Sequence, residues 1–166
     1  MKYRCIAGLF GVLLACAPFR SSAQDAIPHK NVISANPFLL IAEWFNGEFE
    51  RTIGLESTVG VRASTIKIDD GRYLNARAFY RYYPSGALNK FYLGIDAGIT
   101  TVDDLDDTSH TVGGAGFELG YNWLLGSRKK LYLSLGAGAD RLFGSGLEDF
   151  TVVIPTVRVL NVGIAF

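Results

Sequence analysis

The stretch Thr156-Val-Arg-Val-Leu-Asn-Val-Gly-Ile-Ala-Phe166 ends the chain with a period of two. Phe166, Ile164, Val162 and Leu160 fall on one face, and Ala165, Gly163 and Asn161 on the other. Successive side chains of an extended strand point to opposite sides. The spacing therefore predicts a strand with one large apolar face and one small or polar face. In water, such a face on a terminal strand is an aggregation hazard. It is stable if the outside meets lipid and the inside is narrow, which predicts a closed β-barrel in an outer membrane.

The same alternation runs upstream. It divides the chain into eight strand segments, near 32–41, 43–52, 57–67, 72–83, 90–101, 111–124, 130–142 and 153–166, with no stretch of helical period. Phe91, Leu93, Ile95, Ala97 and Ile99 alternate with Tyr92, Gly94, Asp96 and Gly98. Ala115, Phe117, Leu119, Tyr121 and Trp123 alternate with Gly116, Glu118, Gly120 and Asn122, and Leu131, Leu133 and Leu135 with Tyr132, Ser134 and Gly136. A soluble sandwich or barrel points its large apolar side chains inward. Here the other face is glycine, serine and charge, which would leave a dry core unpacked. An eight-stranded bore is just wide enough for side chains to fill, so the small-polar face is read as the inside. Apolar-out, polar-in alternation is the pattern of a transmembrane barrel, and the expected fold is an all-β, eight-stranded, antiparallel up-and-down transmembrane β-barrel.

Residues 1–23 read as a cleavable signal peptide of a Gram-negative exported protein. Lys2 and Arg4 precede an apolar run from Ile6 to Ala17, and Ser21-Ser22-Ala23 offers small residues for cleavage. That run is shorter than the roughly 20 residues a spanning helix needs. Leu13-Leu14-Ala15-Cys16 loosely resembles a lipoprotein signal, with Leu14 a poor fit. Residues 24–30 form a polar leader and 31–166 the barrel. Both cysteines, Cys5 and Cys16, fall in the signal segment, so the mature chain has no disulfide to stabilise it. Without Lys2, Arg4 and Arg20 the remaining chain has 13 basic and 16 acidic residues, a net charge of about −3, which argues against a nucleic-acid partner.

Links between the segments alternate in length. Ile53–Glu56, Pro84–Asn89 and Gly126–Lys129 are expected at the periplasmic end. Those near Ala42, at Ile68–Gly71, Val102–His110 and Phe143–Asp149 are expected outside, the first unusually tight. Tyr80, Tyr82, Phe91, Tyr121, Trp123 and Phe166 are expected to form an aromatic girdle at headgroup level near the periplasmic links. Trp44, Phe143 and Phe150 are candidates for the opposite rim.

With Asn36-Pro37 in the first strand, Phe49-Glu50-Arg51, Arg81-Tyr82-Tyr83-Pro84 and terminal Phe166, the chain resembles eight-stranded outer-membrane barrels of the OmpA/OmpX kind. More closely it resembles a family of small outer-membrane barrels with no established activity. The resemblance implies insertion by the barrel-assembly machinery, with Leu160, Val162, Ile164 and Phe166 as the assembly signal. It also implies residence among outer-membrane lipid and lipopolysaccharide.

The charges on the inner face are the main candidate constellation: Glu48, Glu50, Asp96, Glu118 and Asp140 with Arg62, Arg77 and Arg81. Glu48 or Glu50 is expected to pair with Arg62 or Arg77 on a neighbouring strand. A network plugging the bore is preferred to an ion path, since eight strands leave little room for water. Asp103-Asp104-Leu105-Asp106-Asp107 could hold Ca²⁺, but it lacks the glycine and distal glutamate of a defined calcium loop. A solvated acidic loop is preferred. His29 and His110 are the two histidines. Ser109 beside His110 points to the opposite face of a strand, a poor nucleophile–base pair, so no catalytic, cofactor or metal site is expected. Arg158 shares parity with Phe166. A bulge near Pro155 turning it inward is preferred to a side chain snorkelling through lipid. The expected function is a monomeric structural or loop-mediated interaction role, through 102–110 and 143–149. A soluble lipocalin-like carrier of an apolar ligand and a lipid-modifying enzyme are the rivals.

Overall fold

A computed structural model describes residues 29–41, 43–68, 71–103, 109–143 and 152–166. The expected signal peptide, most of the polar leader, Asp104–Asp107, the 144–149 link and Phe150 lie outside these residues. Eight strands follow in order: β1 (Asn31–Ala35), β2 (Phe45–Thr52), β3 (Ser57–Ile68), β4 (Gly71–Tyr82), β5 (Lys90–Asp103), β6 (Ser109–Leu125), β7 (Leu131–Phe143) and β8 (Val152–Ala165). Each pairs antiparallel with its sequence neighbour, and β8 returns to β1 to close the barrel. At the closure Val32 to Ala35 stand opposite Ala165 to Val162. The N–H groups of Asn31 and Phe166 each donate to the other's carbonyl at 2.9 Å.

One expected strand is only half a strand. β1 stops at Ala35, and Pro37–Ile41 form a short helix, α1. The local chemistry explains the break. Asn36 Oδ1 accepts hydrogen bonds from the N–H of Phe38 (2.9 Å) and Leu39 (3.2 Å), capping the first turn. Pro37 takes the first helical position, where its missing N–H costs nothing. Asn36-Pro37 is thus a helix start rather than part of the first strand, and the link after β1 carries a helix rather than a tight turn. Upper β8, beyond Val162, has no β1 partner among the described residues.

The barrel is inside-out. Ile95 is 63 % exposed, Phe117 57 % and Val157 71 %, whereas Glu48 and Arg77 are 5 % and Glu118 6 % exposed. Apolar side chains surround the outer wall on every strand, Ile33, Phe49, Val61, Leu74, Leu93, Leu119, Leu135 and Ile164 among them. On β6 the outer face from Ala115 to Leu125 runs roughly 34 Å along the strand at about 3.4 Å per residue, a length that a tilt of about 40°, usual for membrane barrels, would turn into a height of roughly 25 Å.

At the end where Asn31 and Phe166 meet, the bore is stopped. The turn after β4 folds back, and Leu88 at its tip is fully buried against Val32, Tyr132, Ala165 and Leu124. Ala87 N–H donates to Leu55 carbonyl (2.8 Å), and Tyr83 N–H to Glu56 carbonyl (2.7 Å), fixing the turn to its neighbour. Leu88 and Lys90 both have φ of 63°, a left-handed backbone uncommon for non-glycine residues. The burial of Leu88 compensates for that strain.

Candidate functional site

Because the bore is narrow and its walls carry glycine, long side chains cross it. Gly94 faces Arg81 and Glu118: a Cβ there would come within 2.9 Å of Glu118 Cγ and 3.2 Å of Arg81 Cγ. Gly60 likewise leaves room for the Phe79 ring, and Gly120 for the Tyr92 ring. The glycine face is the space that lets the charges meet.

Arg81 is the centre. Its Nε donates to Glu118 Oε1 at 2.5 Å, and its Nη1 to Glu48 Oε1 at 2.8 Å and Glu50 Oε2 at 2.5 Å. The guanidinium also lies over the Phe79 ring (4.0 Å to the centroid) and the Tyr92 ring (4.8 Å). Its side chain is fully buried, yet three carboxylates and two aromatic faces surround it, so its charge is compensated on all sides. Towards the stopped end, Glu50 accepts from Thr58 Oγ1 (2.5 Å), Tyr83 Oη (2.6 Å) and Tyr132 Oη (3.3 Å). Asn122 Nδ2 donates to Tyr83 Oη at 2.8 Å.

Further up, Arg62 bridges Asp96 (2.6 Å) and Glu118 (2.7 Å), and Arg77 bridges Asp96 (2.6 Å) and Asp140 (3.0 Å). The expected pairing of Glu48 or Glu50 with Arg62 or Arg77 is therefore corrected. Glu48 and Arg62 stand opposite each other in the β2–β3 register. Both side chains instead reach across the bore, Glu48 to Arg81 and Arg158, and Arg62 to Asp96 and Glu118. A side chain as long as arginine finds its carboxylate across a narrow lumen more readily than beside it.

Arg158 joins the same cluster. Its Nη2 lies 2.8 Å from Glu48 Oε2 and 3.2 Å from Glu118 Oε2, and its Nη1 donates to Tyr92 Oη at 3.3 Å. A bulge turns it inward, but not at Pro155, which pairs in register with Ala139. The shift lies between Ser134 and Gly136, where Val159 and Leu160 of β8 stand against Leu135 alone. That extra residue reverses the parity of everything before it, so Leu160, expected in line with Val162, Ile164 and Phe166, falls in the bulge. Arg158 was the functional residue hardest to place by counting. Its signal was a charge at an outward position, which a register change accommodates without a side chain snorkelling through lipid.

All eight charges singled out from sequence thus line one bore, with Arg158 as a ninth: five acids and four bases. Tyr80, Tyr82, Phe91, Tyr121, Trp123 and Phe166 all lie exposed on the outer wall, with Tyr121 and Trp123 rings 4.7 Å apart. Tyr83, Tyr92 and Tyr132 instead point inward and are fully buried. His29 Nε2 is 2.8 Å from Arg128 carbonyl oxygen, far from His110 at the other end of the barrel. Among the described residues no group of three or more His, Cys, Asp or Glu is placed to hold a metal ion. On the outer wall, Gly47, Ala63, Ala76, Ala78 and Ala97, edged by Ile33, Phe49 and Val61, leave an apolar hollow of about 640 Å³.

No curated protein and no solved structure matches the chain. A family model described as "Protein of unknown function (DUF3575)" does, over residues 9–143. That span contains β1 to β7 and eight of the nine lumen charges, and leaves out β8 with Arg158. The chain belongs to that family.

Proposed function

We propose that the protein is a small integral outer-membrane barrel, OmpA/OmpX-like in build, whose bore is plugged by its charge network. Its role is structural, or one of interaction through the links at the far end, rather than catalytic. The observation that carries this reading is the inverted polarity: an apolar outer wall, with Arg141 at its far edge, around a charged, hydrogen-bonded bore. An outer face of that kind is stable in acyl chains and not in water. Crossing would be by strands, since no helix among the described residues is long and apolar enough. The height of the apolar wall suits the roughly 25 Å apolar band of such barrels. Lipid chains and lipopolysaccharide would then cover the wall, and the barrel-assembly machinery would insert it from Val162, Ile164 and Phe166.

A soluble carrier of an apolar ligand fits less well, because the middle of the bore is filled by ion pairs. Fractionation decides between the two. The protein should stay in the membrane pellet after alkaline carbonate and should migrate faster on a gel when unheated than when boiled. Release by carbonate with no change in migration would remove the membrane reading.

A further inference from the structure

The end of the barrel carrying the stopper is strongly basic. Lys30, Arg51, Lys90, Arg128, Lys129 and Lys130 all sit on its turns and strand ends, against one acidic side chain there, Glu56, among the described residues. Backbone hydrogen bonds hold most of them together. Lys30 N–H donates to Phe166 carbonyl (3.2 Å), and Thr52 N–H, next to Arg51, donates to Lys30 carbonyl (2.8 Å). Ala165 N–H donates to Lys130 carbonyl (2.8 Å), and His29 meets the Arg128 carbonyl. The opposite bias runs through the sequence joining the strands at the far end: Asp69, Asp70, Asp104, Asp106, Asp107, Glu148 and Asp149. The residues after the expected signal carry 13 bases and 16 acids, so this basic end stands out against a chain of net negative charge.

Tyr80, Tyr82, Phe91, Tyr121, Trp123 and Phe166, exposed on the outer wall, lie towards the same end, while Phe45 and Phe143 lie towards the other. Trp123 is in the last turn of sequence before the Gly126–Lys129 link, and Phe91 follows Lys90 directly. Aromatic rings settle at headgroup depth, which puts the cations beside them in the phosphate layer. Resting on the membrane reading above, we infer that this end binds anionic phospholipid headgroups, with phosphatidylglycerol-type phosphates held against Lys30, Arg51, Arg128 and Lys130. An acidic protein would need a docking face clear of the bilayer. The cations flanking Trp123 and Phe166 are instead placed where headgroups would lie.

The chain has two tryptophans, Trp44 and Trp123, one near each end, so the lipid at each can be read separately. The protein is folded into vesicles of phosphatidylcholine with one-third phosphatidylglycerol, in which one lipid or the other carries brominated chains that quench tryptophan. In a Trp44→Phe variant, brominated phosphatidylglycerol should quench Trp123 with an apparent affinity several-fold above brominated phosphatidylcholine. The expectation is on the order of fivefold for each cation engaged. High salt, or the combined Lys30→Gln, Arg128→Gln and Lys130→Gln variant, should remove the preference. A Trp123→Phe variant, reporting from Trp44, should show none. Equal quenching of Trp123 by both lipids would overturn the inference, leaving an acidic protein as the partner of this end, and would leave the membrane reading intact. No quenching by either lipid would overturn the membrane reading itself.

Discussion

Arg81 carries the heaviest electrostatic load of any side chain described. Its removal leaves Glu48, Glu50 and Glu118 crowded in a closed bore, and an uncompensated buried charge costs about 3–5 kcal/mol. Arg81→Ala should lower unfolding stability by at least that amount, measured by urea titration in vesicles. Arg81→Lys should recover little, since a point charge does not reproduce the fork that reaches three carboxylates. Gly94→Ala tests the space rather than the charge. Its added Cβ meets Glu118 and Arg81, so a loss of about 1–3 kcal/mol is expected. Arg77→Ala should destabilise the barrel while leaving planar-bilayer conductance near zero. Large, stable channels in the unaltered protein would show that the bore is not plugged. At this scale the sequence was legible as to which way eight of the nine bore charges face, because parity decides that wherever no bulge intervenes; Arg158, behind the β8 bulge, was the exception. The sequence was not legible as to who pairs with whom. Glu48 and Arg62 share a register position and yet part, since crossing distance in the bore depends on shear and tilt that no local pattern encodes.

At the level of elements, the long strands were readable because two-residue alternation persists for many residues in each. β1 was not, because Val32-Ile-Ser-Ala35 is followed by apolar Phe38-Leu-Leu-Ile41 with just Asn36-Pro37 between them. The one stop sign, Asn36-Pro37, reads equally as a strand irregularity or as a cap with a first-turn proline. Asn36→Ala should remove the cap, costing about 1 kcal/mol and loosening α1, visible as faster amide exchange at Phe38 and Leu39. The β8 bulge makes a sharper test. Deleting Leu160 should leave Val159 alone opposite Leu135 and keep Arg158 opposite Gly136, still facing Glu48, Glu118 and Tyr92 across a regular ladder. Stability close to that of the unaltered protein is expected by urea titration in vesicles, and a loss as large as that of Arg158→Gln would mean that the bulge does not set the facing of that arginine. Pro155 lies in the stretch of β8 that no longer has β1 beside it, an edge on which proline is tolerated.

Taken whole, the molecule is a sealed ring with unlike ends: one corked by Leu88 and basic, the other reached by acid-rich links. Membrane residence, a quiet bore and selective headgroup contact at the corked end are separate expectations, and each fails on a different measurement. The ring is least continuous where it was joined. Short β1 meets β8 from Val32 to Ala35 only, while β5 and β6 stay in register from Lys90 to Asp103. Beyond Ala35 the salt link from Arg158 to Glu48 and the packing of α1 against both β2 and β8 are what tie the last strand to the second. A hoop clasped by a short overlap and one rivet of opposite charge will part there first when pulled or heated, so the earliest rupture should run along that join rather than through the wall facing it.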